Sequence, residues 1–239
     1  MFGCCPAWRH PINIGNSANS LKSSHGMTIV ELLVAISLLA ILIVPITMVI
    51  TGFYGDTIKN SIQSRLAVES QNILRSIVEE LRVSSGVRDA NTVYDLNAPP
   101  GGWTTSNDSL VLIISTPAMN TAGEFIMDTS TGEPFQNEIV YFATEGKLYK
   151  RVLANLLAPG NRFNTTCPSS LATATCPADV LLSDHFKDMT FEFYDQDDAI
   201  TTTLINARSI RMTIQLERQS FGRLVAFTNN IRITMRNQL

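Results

Sequence analysis

Residue types that carry catalysis are scarce in this chain of 239 residues. Histidine occurs only three times, at His10, His25 and His185, and no serine or cysteine stands in a recognisable nucleophile motif. A catalytic site needs a nucleophile or an acid–base group together with partners that position it. The sequence therefore predicts a protein that is not an enzyme.

Charge is missing from one long stretch near the N-terminus. Residues 32–54 carry none, and Glu31 is the only charged side chain in residues 27–53. A stretch of this length is enough for a helix to cross a bilayer core about 30 Å thick. A cleaved secretory signal has a shorter apolar core with small residues after it, whereas here the small residue at the boundary, Gly26, comes first. We therefore predict a membrane span.

Glu31 lies at the N-terminal start of this apolar stretch. A charged side chain inside hydrocarbon costs about 2.5 to 3.5 kcal/mol on insertion scales, so an acid there is a candidate functional residue. The alternative is a carboxylate near the end of a span that reaches the headgroups.

The order GMTIVE from Gly26 to Glu31, followed by the apolar stretch, resembles the processing signal of type IV pilins and type II secretion pseudopilins. In that family a prepilin peptidase cuts after the glycine, the new first residue is N-methylated, and the fifth mature residue is a glutamate. The resemblance implies cleavage between Gly26 and Met27 and N-methylation of Met27. It also implies that Glu31 acts in subunit assembly by meeting the Met27 amine of a neighbouring subunit, an attraction that a low dielectric strengthens.

The same resemblance implies a topology and partners. Residues 1–26 would be a cytoplasmic leader and residues 27–55 a single span of the cytoplasmic (inner) membrane, with the N-terminus inside and the domain outside. The partners would be prepilin peptidase, other pilin or pseudopilin subunits and an inner-membrane assembly platform. Because the leader holds two basic residues and no acidic one, its removal leaves 16 basic and 21 acidic residues, a net charge of −5. Nucleic acid is therefore not an expected partner.

Residues 56–86 predict an amphipathic continuation of the helix. Apolar residues recur in steps of four and seven, with charged residues on the remaining surface. Gly86 is expected to end this helix in the left-handed conformation. Pro45 predicts a bend in the membrane half or a kink that the membrane tolerates. The apolar stripe consists of Ile58, Ile62, Leu66, Ile73, Ile77 and Leu81, with Leu74 and Val78 beside them.

The rest of the chain alternates between strands and turns. Glu145 and Gly146 link two strand patterns as a hairpin would, and the last two strands each place apolar residues on one face. The fold class is therefore α+β: a long N-terminal helix, half in the membrane and half amphipathic, packed on an antiparallel β-sheet domain of residues 87–239, as in pilins. Strands are predicted at residues 110–115, 138–144, 147–153, 189–194, 200–204, 207–216 and 224–235.

Most of residues 138–237 also resembles one branch of the family, the minor pilins and pseudopilins labelled W and J. The segments that carry this second resemblance are IVYFATEGKLYKR, TFEFYD, ARSIRMTI and IRITMRN. It implies a minor subunit, at or near the tip of a type IV pilus or type II secretion pseudopilus, that helps to start assembly. The alternative function is a membrane-tethered binding or adhesion protein whose domain recognises a surface ligand or DNA.

Four cysteines form two pairs. Cys4 and Cys5 belong to the leader, whereas Cys167 and Cys176 belong to the exported domain. An even pair in an oxidising compartment predicts a disulfide between Cys167 and Cys176, and two free thiols are the alternative.

A cluster of carboxylates follows the strand at residues 189–194. Asp195, Asp197 and Asp198 could hold Ca²⁺, because hard cations take several oxygen ligands from a flexible loop. The alternative is a solvated acidic turn, and no other metal or cofactor is predicted.

Overall fold

The computed structural model describes residues 26–220 and 222–235. These residues form one long helix, nine strands and two short 3₁₀ helices. The helix α1 is Ile29–Val83, and the 3₁₀ helices are Ser169–Leu171 and Leu204–Asn206. The strands are β1 Gly86–Arg88, β2 Val111–Pro117, β3 Gln136–Thr144, β4 Lys147–Leu153, β5 Val180–Ser183, β6 Phe186–Tyr194, β7 Ile200–Thr201, β8 Ser209–Ser220 and β9 Arg223–Thr234.

The described residues divide into two units between Gly52 and Phe53. Helix α1 contributes its first part to one unit and its second part to the other, and it remains helical through Pro45. In the first unit its apolar side chains are exposed. In the second unit it buries the predicted stripe, except that Ile58 is only partly buried. The buried residues of α1 are Ile62, Leu66, Ser70, Ile73, Leu74, Ile77, Val78 and Leu81.

A five-stranded antiparallel sheet in the order β1-β2-β3-β4-β5 packs on this stripe. Its strands β2 and β3 are buried on both faces, because the second face carries a smaller core around Trp103, Phe142 and Leu153. Burial on both faces explains the continuous apolar runs of these strands. Glu145 and Gly146 join β3 to β4 with φ values of 52° and 71°. This pair of positive values is typical of a two-residue type I′ hairpin loop.

A four-stranded antiparallel sheet in the order β7-β6-β8-β9 completes the core. Ile210, Met212, Ile214 and Leu216 of β8 share one fully buried face, as the alternation of the sequence predicts. On β9 the predicted apolar face is buried at Val225 and Ile233 and half-buried between them.

The α+β prediction is confirmed, with three differences in detail. The single predicted sheet is two sheets, because the chain leaves the first sheet after β5 and enters the second at β6, with Asp184 and His185 as the link. The predicted strand of residues 200–204 keeps only its first two residues, since Leu204 is buried in that turn. Gly86 opens β1 with a φ of 132° instead of closing the helix.

The helix ends instead at Val83, and the next residue, Ser84, caps its C-terminus with hydrogen bonds to the last turn. The Ser84 hydroxyl donates to the carbonyl oxygen of Leu81 at 2.8 Å, and the Ser84 backbone N–H donates to the same oxygen at 3.4 Å. One of the carbonyls that a helix C-terminus leaves without an intrahelical partner is thereby satisfied.

Candidate functional site

The segment from Gly26 to Glu31 places its functional residues around the start of α1. Gly26 and Met27 precede the helix and are exposed, and Met27 keeps 69 % of its accessible surface. Thr28 is the N-cap, because its carbonyl oxygen accepts the first helical hydrogen bond from the Leu32 N–H at 3.1 Å. The peptide bond between Gly26 and Met27 therefore lies in exposed, non-helical backbone next to a helix N-terminus.

Glu31 and Thr28 hydrogen-bond to each other across this first turn. The N–H and the hydroxyl of Thr28 donate to Oε2 of Glu31 at 2.9 and 3.0 Å. The Glu31 N–H donates to Oγ1 of Thr28 at 3.2 Å. This reciprocal arrangement is a capping box, which satisfies backbone donors that a helix start leaves free, and a negative charge there is also favoured by the helix dipole.

The capping role of Glu31 was not part of the sequence prediction. Its signal is the spacing Thr28-x-x-Glu31 immediately before an apolar run, which is the sequence pattern of a capping box. The structure thus gives the carboxylate a local partner within its own chain. That partner lies one residue from Met27, the residue whose amine the family resemblance makes the assembly partner.

Helix α1 is long and apolar enough to cross a membrane, and its most apolar window is not buried against any described part of the chain. The hydroxyl groups of this part are satisfied within the helix. Thr47 and Thr51 donate to the carbonyl oxygens of Ile43 and Thr47 at 2.8 and 2.9 Å. Such side-chain bonds to the preceding turn leave no hydroxyl unpaired in an apolar surrounding.

Cys167 and Cys176 form a disulfide, with their Cα atoms 5.6 Å apart. The backbone beside it is fixed independently of the bond between the sulfur atoms. The Cys167 N–H donates to the carbonyl oxygen of Pro177, and the Asp179 N–H donates to that of Cys167, each at 2.8 Å. Cys4 and Cys5 lie outside the described residues.

The acidic turn after β6 uses two of its three carboxylates within the protein. Oδ1 of Asp195 accepts the backbone N–H groups of Asp197 and Ala199, both at 2.9 Å. Asp198 forms an ion pair with Arg232, whose guanidinium lies 4.0 Å from the ring centre of Tyr194. Calcium binding by Asp195, Asp197 and Asp198 stays a prediction.

A buried charge cluster under the loop segment of residues 95–103 was missed by the sequence reasoning. Arg151 on β4 donates from Nε to Oδ1 of Asp179 at 3.0 Å and from Nη1 to Oδ2 of Asp95 at 3.0 Å. Trp103 donates from Nε1 to the same oxygen of Asp95 at 2.7 Å. Burial opposes the charge of Arg151, but the hydrogen bonds and charges of Asp179, followed by those of Asp95, raise its pKa above the usual value.

This cluster also borders a cleft with an aromatic wall. The guanidinium of Arg151 lies 5.3 Å from the ring centres of both Trp103 and Phe142, and Phe142 stacks on Tyr149. The only sequence signal was an arginine in a strand pattern, which does not reveal two carboxylates 56 and 28 residues away. The cluster holds the loop segment onto the second face of the five-stranded sheet.

A known family model matches the N-terminal part of the chain. Residues 21–47 match the family described as prokaryotic N-terminal methylation motif. No curated protein matches the chain. The matched range contains Gly26, Met27, Thr28 and Glu31, and it extends along α1 to residue 47. With this motif, a candidate membrane helix and antiparallel sheets packed on that helix, the chain has the features of a membrane-anchored, type IV pilin-like protein.

Proposed function

We propose that the protein is a minor pilin or pseudopilin of the W and J kind, a structural subunit and not an enzyme. Prepilin peptidase cuts its chain between Gly26 and Met27, and Met27 is then N-methylated. Before assembly, the subunit lies in the inner membrane as a single span, with its N-terminus inside and its domain outside. An assembly platform then moves it, with other subunits, to or near the tip of a type IV pilus or type II secretion pseudopilus.

The observation that carries the proposal is the position of the Glu31 carboxylate. It lies 2.9 Å from the backbone nitrogen of Thr28, and cleavage at Gly26 would create a charged amine on the adjacent residue, Met27. The carboxylate is therefore held at the end of the helix where the amine appears. In the separate subunit it caps α1, and in a filament the amine of a neighbour replaces Thr28 as its partner.

The minor role is supported by where the second resemblance falls. The segments that resemble W and J subunits correspond to β3 with β4, to β6, to β8 and to β9. The resemblance thus follows the strands that pack on the buried stripe of α1. A subunit at the tip keeps the same helix for assembly and presents its domain at the end of the filament.

The proposal is tested by cleavage in cells that co-express a prepilin peptidase. We expect mass spectrometry to find a chain that begins at Met27 and carries an added methyl group. Gly26→Ala should leave the chain uncut. A Cβ at Gly26 meets no atom within 4 Å and creates no clash, so loss of cleavage would report recognition by the peptidase and not misfolding.

Gly52→Ala is the matched control, because Gly52 lies within α1, away from the cleavage position, and a Cβ there also meets nothing within 4 Å. This variant should be cut like the wild type. A wild-type chain that keeps its first 26 residues, or a Gly26→Ala chain cut at the wild-type rate, would overturn the proposal.

A further inference from the structure

Glu69, Asp184 and His185, none of which belongs to the segment from Gly26 to Glu31, bring three metal-binding side chains together. Their ligand atoms all lie within 4.8 Å of one another, the one such group of histidine, cysteine and carboxylate side chains in residues 26–220 and 222–235. Glu69 belongs to α1, and the other two form the link between β5 and β6. We call these three residues the helix–junction cluster.

The ring nitrogen Nδ1 of His185 is the unusual atom of this cluster. It lies 2.6 Å from Oδ1 of Asp184 and 3.6 Å from Oε2 of Glu69. Even so, it is buried and has no hydrogen-bond partner in the described part of the chain. A buried polar atom of this kind is costly when unpaired. Both carboxylates lie within ion-pair distance of this nitrogen, and an ion placed among the three groups would take one ligand atom from each.

We propose that the helix–junction cluster binds a divalent transition-metal ion of the zinc type. An imidazole nitrogen with two carboxylate oxygens suits zinc, whereas calcium and magnesium prefer oxygen ligands alone. Zinc bonds of about 2.0 to 2.2 Å in a tetrahedral site put ligand atoms about 3.4 Å apart. The 3.6 Å distance from Nδ1 to Oε2 of Glu69 is close to this value. The 2.6 Å distance from Nδ1 to Oδ1 of Asp184 is shorter, so the exposed Asp184 side chain would move outward by about 0.8 Å when the ion binds. A fourth position stays open for water or another donor.

The backbone around His185 is fixed before any ion binds. The His185 N–H donates to Oγ of Ser183 at 3.0 Å, and the Glu217 N–H donates to the carbonyl oxygen of His185 at 2.8 Å. Ser183 ends the last strand of one sheet, and Glu217 belongs to β8 of the other. A bound ion would therefore connect α1 to the point where the chain passes from one sheet to the next.

The test measures zinc bound by the full chain, purified in detergent with its disulfide intact. Equilibrium dialysis should find one zinc ion more per chain in the wild type than in His185→Gln or Glu69→Gln. Cys4, Cys5, His10 and His25 are unchanged in these variants, so zinc bound elsewhere cancels in the difference. Zinc should also raise the Tm of the wild type by several degrees, since it binds the folded state, and this shift should be lost in both variants.

Glu79→Gln is the matched control. Glu79 also lies on α1 and is exposed, where it pairs with Arg75 at 3.0 Å, so this variant should bind zinc like the wild type. The result for His185→Gln is used only if its circular dichroism spectrum without metal equals that of the wild type. If the spectra differ, zinc binding is compared between the wild type and Glu69→Gln. Equal zinc content and equal Tm shifts in wild type and both cluster variants would overturn the proposal. Calcium binding that persists in His185→Gln while zinc binding is absent would overturn it too.

Discussion

Asn229 donates a hydrogen bond from Nδ2 to Oγ of Ser70 at 3.2 Å, at a polar point inside the apolar interface between α1 and the four-stranded sheet. Ser70 is fully buried within the stripe of α1, and its hydroxyl donates to the carbonyl oxygen of Ala67 at 2.9 Å. Asn229 is the polar residue on the inward face of β9. Ser70 and Asn229, the polar residues within two otherwise apolar faces, thus form a hydrogen bond with each other.

We expect Ser70→Ala to lower the free energy of unfolding by about 0.5 to 1.5 kcal/mol, because the half-buried amide of Asn229 loses its acceptor. Asn229→Leu should restore part of this loss when combined with Ser70→Ala, since the double variant leaves no polar group unpaired. Denaturant unfolding of the full chain in detergent, followed by tryptophan fluorescence, gives the double-mutant cycle.

The exposed neighbour Asn230 on the same strand provides the control. Asn230→Ala should change the unfolding free energy by no more than about 0.5 kcal/mol. Additive effects of the changes at Ser70 and Asn229 would show that the two side chains are not coupled.

The same pair shows what the sequence could predict. The stripe of α1 and the buried face of β8 follow from local periodicity, because each pattern depends only on residues a few positions apart. The contact between Ser70 and Asn229 joins positions 159 residues apart. It depends on how the sheet lies against the helix, which no local pattern contains.

The two candidate sites, at Glu31 and at Arg151, differ in how much of each the sequence could predict. The position of Glu31 after Gly26 and the capping spacing from Thr28 are both local and readable. The partners of Arg151, Asp95 and Asp179, come from two separate loop regions, so the strand pattern of β4 gave no sign of them. Likewise, Glu69 meets His185 only because the turn after β5 lies beside α1.

Arg151→Met should lower the free energy of unfolding by about 3 to 5 kcal/mol, because it leaves the carboxylates of Asp95 and Asp179 buried without a counter-charge. The fluorescence of Trp103, which donates to Asp95, should change along with stability. Arg151→Lys should rescue little, since an ammonium group cannot hold both carboxylates as the planar guanidinium does.

Arg75→Ala is the control for charge alone. Arg75 pairs with Glu79 on the exposed surface of α1, and such a pair contributes about 0.5 kcal/mol or less. Losses of similar size in Arg75→Ala and Arg151→Met would contradict the view that the buried cluster holds the loop segment in place.

The ion pair between Asp198 and Arg232 predicts a loss of stability in acid. The hydrogen bond from Arg232 lowers the pKa of Asp198 below its usual value of 3.8. Desolvation opposes this shift, and the positive charges of Arg232 and Arg211 add to it. The folded state then binds the proton less readily than the unfolded state. The stabilisation is therefore present above the unfolded pKa and is lost as pH falls through the folded pKa.

We therefore expect the Tm of the wild type to exceed that of Asp198→Asn by a constant amount near neutral pH, and this difference should shrink below about pH 4. Arg232→Gln removes the same ion pair from the other side and should show the same pH dependence. Curves for wild type and Asp198→Asn that stay parallel through the acid range would contradict the prediction.

Thr28→Ala and Glu31→Gln separate the two roles of the Glu31 carboxylate. Thr28→Ala removes the hydroxyl that accepts from the Glu31 N–H and weakens the cap by about 1 kcal/mol, but it keeps the charge. Glu31→Gln keeps a residue that serves in a capping box and removes the charge. If Glu31 pairs with the amine of a neighbouring subunit, Thr28→Ala should enter filaments nearly as well as the wild type. Glu31→Gln should be depleted in filaments about tenfold or more. A tenfold change corresponds to about 1.4 kcal/mol.

The measurement is the ratio of each variant in the sheared filament fraction to its amount in the membrane fraction, by quantitative immunoblotting. Cleavage of both variants must match the wild type, so that a difference reports assembly and not processing. Depletion of Thr28→Ala together with normal incorporation of Glu31→Gln would assign Glu31 to helix capping alone, because glutamine keeps the cap. Wild-type incorporation of Glu31→Gln would exclude the ion pair between subunits, because the neutral amide offers the amine of Met27 no opposite charge.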